Sequence, residues 1–141
     1  MAGSLVPVRT RRGIFDYALK RRALLAQVRS GLVGTDDVCD ATPYLLSAAA
    51  FHGRAADRDC PLCHTAPLST VSYVYGEELK TAAGQARSAA ELTKMQMDYR
   101  SFTVYEIEVC TECRWNHLMT SYLLGRDGLT GESAADHATG R

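Results

Sequence analysis

Two Cys-x-x-Cys motifs, Cys60–Cys63 and Cys110–Cys113, constrain this chain more than any other feature, and 46 residues separate them. A turn of this kind brings two sulfur atoms close enough to bind one metal ion, so two turns supply four ligands. Four thiolates in tetrahedral geometry favour Zn²⁺, with iron as a lesser alternative. The spacing therefore predicts one structural Zn²⁺ per chain, with the ligands Cys60, Cys63, Cys110 and Cys113.

Other uses of these cysteines fit the sequence less well. A thioredoxin-like redox pair needs a βαβ context and a zinc deaminase needs a His-x-Glu motif upstream, and the sequence has neither. His64 directly follows Cys63 and is the alternative fourth ligand of a Cys₃His site. The fifth cysteine, Cys39, is interpreted as a small buried hydrophobic residue, the commoner role of a single cysteine.

The sequence favours a cytoplasmic protein without catalytic activity. Five cysteines, an odd number, and a start without a long apolar segment argue against an exported disulfide framework. No apolar run approaches the roughly 18 residues of a membrane span. The motifs of phosphate-binding loops, serine hydrolases and zinc proteases are absent, and four cysteines would close the coordination shell of the metal. We therefore expect no enzyme and no membrane association.

The zinc-binding region is predicted to be a hairpin with a helical insert. The segments Thr70–Tyr75 and Phe102–Val109 are rich in β-branched and aromatic residues, which is typical of strands. Between them, Ser88 and Glu91 have the spacing of a capping box, which predicts a helix of about 10–12 residues. The two motifs and the hairpin together predict a treble-clef-like module, with a zinc ribbon as the alternative.

Helices are predicted on both sides of this hairpin. After the second motif, apolar residues recur at helical spacing from Trp115 onwards, which predicts a helix that ends at Gly125. Near the start of the chain, a helix is predicted over Ile14–Ser30. Another is predicted to begin at Pro43 with Thr42 as its N-cap. Such short helices are also compatible with a DNA-reading helix-turn-helix, although any small helical bundle gives the same pattern.

The composition, 46% hydrophobic and 23% charged, is that of a globular protein, and the elements predict an α+β fold. An N-terminal helical segment is followed by the zinc-binding hairpin. The predicted organisation is a flexible basic arm over residues 1–11, a helical segment over 12–53, a zinc-binding domain over 54–126 and a disordered tail over 127–141.

The zero net charge of the chain hides an asymmetry, because residues 1–30 carry +6 and the remainder carries −6. A basic N-terminal segment favours contact with a polyanion. We therefore expect a module that binds nucleic acid, or a nucleic-acid-containing complex such as RNA polymerase or the ribosome. The alternative is an adaptor whose N-terminal basic amphipathic helix inserts its apolar stripe into a single acidic protein partner. The candidate partner-binding residues are Arg9, Arg11, Arg12, Lys20, Arg21, Arg22, Arg114 and Trp115.

Four stretches together resemble a small actinobacterial family of unknown function: Val38–Leu46, Cys60–Cys63, Tyr73–Leu79 and Val109–Leu118. The resemblance covers residues 12–126. It implies a bacterial cytoplasmic protein with a zinc-binding appearance, and it implies no particular activity.

Overall fold

The structure, a computed structural model, describes residues 10–129. Arg9 with most of the predicted arm, and residues 130–141 of the predicted tail, lie outside the described residues. The fold is mixed α+β with an antiparallel sheet, so the predicted class is confirmed. In chain order the elements are β1 (Arg12–Asp16), α1 (Ala18–Arg29), α2 (Thr35–Val38), α3 (Pro43–His52), β2 (Arg54–Asp59), β3 (Pro67–Tyr75), a 3₁₀ helix (Glu77–Ala82), β4 (Ala86–Arg87), α4 (Ala89–Asp98), β5 (Phe102–Val109), β6 (Asn116–Leu124) and α5 (Arg126–Leu129).

Within residues 10–129, the strands form one six-stranded sheet in the order β1-β6-β5-β3-β2, with the short β4 paired to β3. Strand β2 pairs antiparallel with β3, where Arg54 lies opposite Thr70. The register shifts between Ala55 and Asp59, which indicates a bulge in this strand. None of the helices in the described part of the chain is long and apolar enough to cross a membrane.

The described part of the chain divides into two compact units, and the first comprises residues 10–15, 73–104 and 121–129. Its helix α4 begins with the predicted capping box, in which the Ser88 hydroxyl accepts from the Glu91 N–H and the Glu91 carboxylate accepts from the Ser88 N–H. This helix packs on a buried apolar cluster, whose members are Val74, Leu79, Leu92, Met95, Phe102, Val104, Tyr122 and Leu124.

The second unit comprises residues 16–72 and 105–120 and contains both Cys-x-x-Cys motifs. Helix α3 begins as predicted, with Pro43 in its first turn and the Thr42 hydroxyl accepting from the Leu45 N–H at 3.1 Å. The buried cluster of this unit mixes apolar side chains with two of the cysteines, and its members are Leu25, Val38, Cys60, Ala66, Leu68, Cys110 and Trp115.

The helix predicted after the second motif is wrong, because Asn116–Leu124 is strand β6. This strand lies between β1 and β5, so sheet hydrogen bonds on both of its edges outweigh the local helical pattern. A short apolar run fits both periods, and Gly125 follows the end of a strand rather than a helix.

The predicted helix over Ile14–Ser30 begins too early. Ile14 lies in β1, which pairs with β6, and helix α1 starts only at Ala18. The change of direction is fixed by the Asp16 carboxylate, which accepts from the Ala18 N–H at 2.8 Å, and by the Tyr17 N–H, which donates to the Met119 carbonyl. At the other end of the chain, α5 extends to Leu129, three residues into the segment predicted as tail.

Candidate metal centre

The first Cys-x-x-Cys turn connects β2 to β3 and is closed by backbone hydrogen bonds. The Cys60 N–H donates to the Ala66 carbonyl at 2.9 Å, and the His64 N–H donates back to the Cys60 carbonyl at 3.1 Å. The Leu62 N–H points at the Cys60 sulfur, 3.3 Å away. His64 adopts a left-handed conformation, with φ of 58°, which lets the chain reverse immediately after Cys63.

The second turn, between β5 and β6, repeats this construction. The Cys110 N–H donates to the Trp115 carbonyl at 2.8 Å, and the Arg114 N–H donates to the Cys110 carbonyl at 2.9 Å. The Cys113 N–H points at the Cys110 sulfur at 3.4 Å, and Arg114 is left-handed with φ of 75°. The two turns are therefore matching knuckles, each with a non-glycine left-handed residue directly after its second cysteine.

The four predicted cysteine ligands come together. Their sulfur atoms all lie within 4.8 Å of one another, and the Cys60–Cys113 and Cys63–Cys110 pairs are each 3.6 Å apart. Four sulfurs at about 2.3 Å from a tetrahedral metal would be about 3.8 Å apart, so the group has the geometry to hold one metal ion. Among the described residues, His64 does not belong to this group.

The thiols of the cluster differ in burial and in pKa because their surroundings differ. Cys60 and Cys110 are fully buried, whereas Cys63 and Cys113 are partly exposed. Burial raises the pKa of Cys60 to about 12 and the pKa of Cys113 to about 11. The hydroxyl of Thr65, which donates to the Cys63 sulfur at 3.3 Å, lowers the pKa of Cys63 to about 6 together with the Thr65 backbone N–H.

Cys39 is a functional-site residue that the sequence interpretation missed. It is only partly buried, and its thiol donates to the Cys113 sulfur at 3.8 Å. The loop that carries it is tied to the second knuckle, because the Arg114 guanidinium donates twice to the Ala41 carbonyl and the Asn116 amide donates to the Asp40 carboxylate. Since 74 residues separate Cys39 from Cys113, no local spacing in the sequence could have indicated the contact.

Glu108, two residues before the second knuckle, is a fully buried carboxylate that the sequence interpretation also missed. It accepts from the indole N–H of Trp115 at 2.7 Å and from the guanidinium groups of Arg21 at 2.6 Å and Arg58 at 2.9 Å. The Glu108 side chain has no exposed area. The two guanidinium bonds fasten α1 and β2 to the strand that leads into the knuckle, and the indole bond fastens Trp115 to the same strand.

Comparison with known proteins places the chain in a family. It matches the family of unknown function DUF5318 over residues 8–138. The chain belongs to the DUF5318 family. Similar relatives are uncharacterised proteins of Mycobacterium tuberculosis and Mycobacterium bovis, each 50% identical over 110 residues, which are 78% of this chain and 80% of the relative. No solved structure matches. The resemblance to an actinobacterial family is therefore confirmed.

The structure of this DUF5318 member places several predicted partner-binding residues in internal contacts. Trp115 is fully buried, and Arg21 is bonded to Glu108. The Arg11 guanidinium lies over the Tyr122 ring, 4.5 Å from its centroid. These three side chains therefore make contacts within the chain, and Trp115 is the fully buried one among them.

The remaining candidates are placed differently. The Arg12 guanidinium donates to the Ser101 hydroxyl at 3.4 Å, and Arg12 is partly buried. Arg114 is exposed, although its guanidinium is bonded to the Ala41 carbonyl. Lys20 and Arg22 are exposed on α1. The exposed members of the predicted basic set in the second unit are Lys20, Arg22 and Arg114.

Proposed function

We propose that the protein is a structural-zinc protein in which the two knuckles bind one Zn²⁺. The observation that carries the proposal is the pair of 3.6 Å sulfur–sulfur distances, each joining one knuckle to the other. The ligands would be Cys60, Cys63, Cys110 and Cys113, with Zn–S distances of about 2.3 Å. Such a metal would cross-link two hairpin turns and replace the thiol contacts of the cluster with four bonds.

A zinc-ribbon arrangement is the form of this proposal that the elements support. The first knuckle leads into β3 and the second into β6, so each turn is followed by a strand. A treble clef would need a helix after the second knuckle. The ribbon alternative therefore has the better support.

A metal with four thiolate ligands has no open coordination position, which supports a role without catalysis. The five cysteines are free thiols, and the two knuckles need reduced sulfur to bind a metal. A reducing cytoplasmic location is therefore part of the proposal.

The metal proposal is tested by elemental analysis of the purified chain. We expect one zinc per chain in the unaltered protein, loss of the zinc in Cys110→Ser and full zinc content in Cys39→Ser, the matched control. A folded, metal-free protein whose four knuckle thiols all react with a thiol reagent would contradict the proposal. Zinc loss in both variants would contradict the ligand assignment.

We further propose that the protein is a binding module for nucleic acid, alone or within RNA polymerase or the ribosome. The supporting observation is helix α1, on which Lys20, Arg22 and Arg29 are exposed. Among the ion pairs of the described residues, none includes these three side chains, and the Lys20 ammonium lies over the Tyr17 ring, 5.9 Å from its centroid. Cations arranged along a helix are suited to contact phosphates.

Binding to labelled single-stranded RNA and duplex DNA, measured by fluorescence anisotropy over a salt series, tests this. We expect log K to fall linearly with log salt, by about 0.7–0.9 per phosphate contact. The double variant Lys20→Gln/Arg22→Gln should weaken binding and flatten the slope. Lys94→Gln, which alters an exposed lysine of the first unit, is the control and should change neither. Absent or salt-independent binding would contradict direct nucleic-acid recognition.

The adaptor remains the alternative proposal, supported by one exposed apolar residue. The apolar stripe of α1 packs internally, because Leu25 is buried and Val28 packs against the same cluster. Leu19, 73% exposed beside Lys20, is what α1 still offers to an acidic protein. A pull-down from native lysate with and without nuclease discriminates the two. Recovery of one protein despite nuclease, lost in Leu19→Ser, would favour the adaptor over nucleic-acid binding.

A further inference from the structure

A fifth sulfur atom lies beside the four-cysteine cluster. The fifth, that of Cys39, lies 3.8 Å from the sulfur of Cys113, nearly as close as two ligands lie to each other. It lies outside the group of four that all approach one another within 4.8 Å. With a metal bound to the other four, Cys39 is the one cysteine at this place without a bond to the metal.

The cysteines of this region differ in their exposure to solvent. Cys60 and Cys110 are fully buried and cannot meet a solute, whereas Cys39 and Cys113 are partly exposed. A small oxidant therefore reaches the Cys113 sulfur before it reaches the buried ligands. Cys63 is also partly exposed, but its short sulfur contact is with the buried Cys110. Cys110 is itself a proposed metal ligand, so it is not a free thiol.

We propose that Cys39 is the resolving thiol of a peroxide-driven release of the metal, through a Cys39–Cys113 disulfide. The inference rests on the proposed zinc site and adds regulation to it. A sulfur–sulfur bond is about 2 Å long, so the two atoms must approach by about 1.8 Å. Cys39 lies at the end of α2 and Cys113 lies in a turn, so the approach requires loop movement alone.

The chemistry balances with a peroxide as oxidant. The Cys113 thiolate attacks one peroxide oxygen, the O–O bond breaks, hydroxide leaves and a sulfenic acid forms. The Cys39 sulfur then attacks the sulfenic sulfur, the S–S bond forms, the S–O bond breaks, and the hydroxyl leaves as water with the thiol proton of Cys39. Two sulfurs lose two electrons in total and one peroxide is reduced to water and hydroxide. The metal loses one of its four ligands and is released.

The test begins with zinc-loaded full-length protein whose metal content is measured first by elemental analysis. Hydrogen peroxide is then added at one equivalent, and zinc release is followed with a chromogenic chelator. Trypsin cleavage after Arg29, Arg54, Arg58, Lys80, Arg100 and Arg114 separates Cys39, the first knuckle and the second knuckle into three peptides. Mass spectrometry then identifies which peptides are joined, and fragmentation distinguishes Cys110 from Cys113. Cys39→Ser, which keeps a hydrogen-bond donor, is the matched variant.

We expect the unaltered protein to release zinc while peptide 30–54 becomes joined to peptide 101–114 through Cys113. In Cys39→Ser we expect release at least fivefold slower, with sulfenic acid at Cys113 trapped by dimedone. Equal release rates in the two proteins, or a disulfide confined to the knuckle peptides, would overturn the inference while the zinc site stands. A protein that never contained zinc would instead overturn the proposed metal site, and the inference with it.

Discussion

Glu108 is a buried charge whose partners come from distant parts of the chain. A substitution that removes the charge of Glu108 but keeps its size measures how much that charge contributes to stability. In Glu108→Gln the side chain keeps its size, but the guanidinium of Arg21, with a side chain only 20% exposed, loses its counter-charge. We expect the free energy of unfolding to fall by about 3 kcal/mol, since an uncompensated buried charge is costly. Chemical denaturation measures the change. Glu112→Gln, at an exposed position of the second knuckle, should change stability by less than about 0.5 kcal/mol. Equal losses in the two variants would contradict this role.

The left-handed residues after the two knuckles provide a matched pair of substitutions. His64 and Arg114 both have positive φ, a conformation that costs a non-glycine residue about 1–2 kcal/mol. His64→Gly should raise the unfolding free energy by about 0.5–1 kcal/mol after the flexibility of glycine is deducted. Arg114→Gly relieves the same backbone but removes the two bonds to the Ala41 carbonyl, so we expect a net loss. Thermal denaturation that ranked them in the opposite order would contradict the argument.

Thr65 would set the pH range over which the cluster holds the proposed metal. Its hydroxyl and backbone N–H lower the pKa of Cys63 from 9.0 to about 6, so fewer protons compete with the metal at pH 7. In Thr65→Val the hydroxyl bond is lost, and we expect the pKa of Cys63 to rise towards its usual value. Zinc affinity at pH 7 should fall by up to about tenfold per pKa unit. The deficit should shrink above pH 9, where Cys63 is ionised in both proteins. Chelator competition from pH 6 to 10 measures it, and a pH-independent deficit would contradict the explanation.

The contrast between these residues explains what the sequence could predict about the site. The four cysteines were predictable because a Cys-x-x-Cys turn is local and carries its own geometry. The roles of Glu108 and Cys39 depend on partners 87 and 74 residues away along the chain. In the sequence alone, Glu108 looks like any solvent-facing acid of a strand, and Cys39 looks like any small buried thiol after a short helical turn. No spacing rule reaches over such distances.

At the level of elements, the end of β6 is fixed by close backbone approach at Gly125. Its φ is 133°, and a Cβ there would collide with the carbonyl oxygen of Arg100. We expect Gly125→Ala to lower the unfolding free energy by about 2 kcal/mol or more. Gly31→Ala is the control, since Gly31 also has positive φ but a Cβ there would meet open space. It should cost about 1 kcal/mol. Equal losses of unfolding free energy in the two variants, compared by chemical denaturation, would show that the backbone relieves the collision at no energetic cost.

Elements with signals in their own sequence were predictable, and elements defined by pairing were not. Helix α4 carries its capping box and β5 carries its β-branched residues, so both predictions are confirmed. Strand β2 has the sequence Arg-Ala-Ala-Asp-Arg-Asp, which has no apolar alternation, and it is a strand because β3 lies beside it. Strand β6 was mistaken for a helix because its apolar residues fit either period until β1 and β5 are known.

At the level of the whole chain, each compact unit has its own buried cluster, and only the second contains the cysteines. We therefore expect removal of the proposed metal by a strong chelator to destabilise the second unit more than the first. Amide hydrogen exchange should accelerate at least tenfold in both knuckles and in α1 and α2, because Leu25 and Val38 pack in the cluster that contains Cys60 and Cys110. The amides of α4 should keep their protection, since Leu92 and Met95 pack in the other cluster. Equal acceleration in α4 would show that the metal stabilises the whole chain as one cooperative unit.

Trp115 has a practical consequence for experiments on this protein. It is the single tryptophan of the chain, it is fully buried, and it lies two residues after Cys113 with its indole N–H bonded to Glu108. All intrinsic tryptophan fluorescence of the protein therefore originates beside the four-cysteine cluster. Water that enters when the second knuckle opens should shift this emission to longer wavelength. An unlabelled sample in a stopped-flow fluorimeter would then follow the loading and the loss of the proposed metal in this part of the molecule.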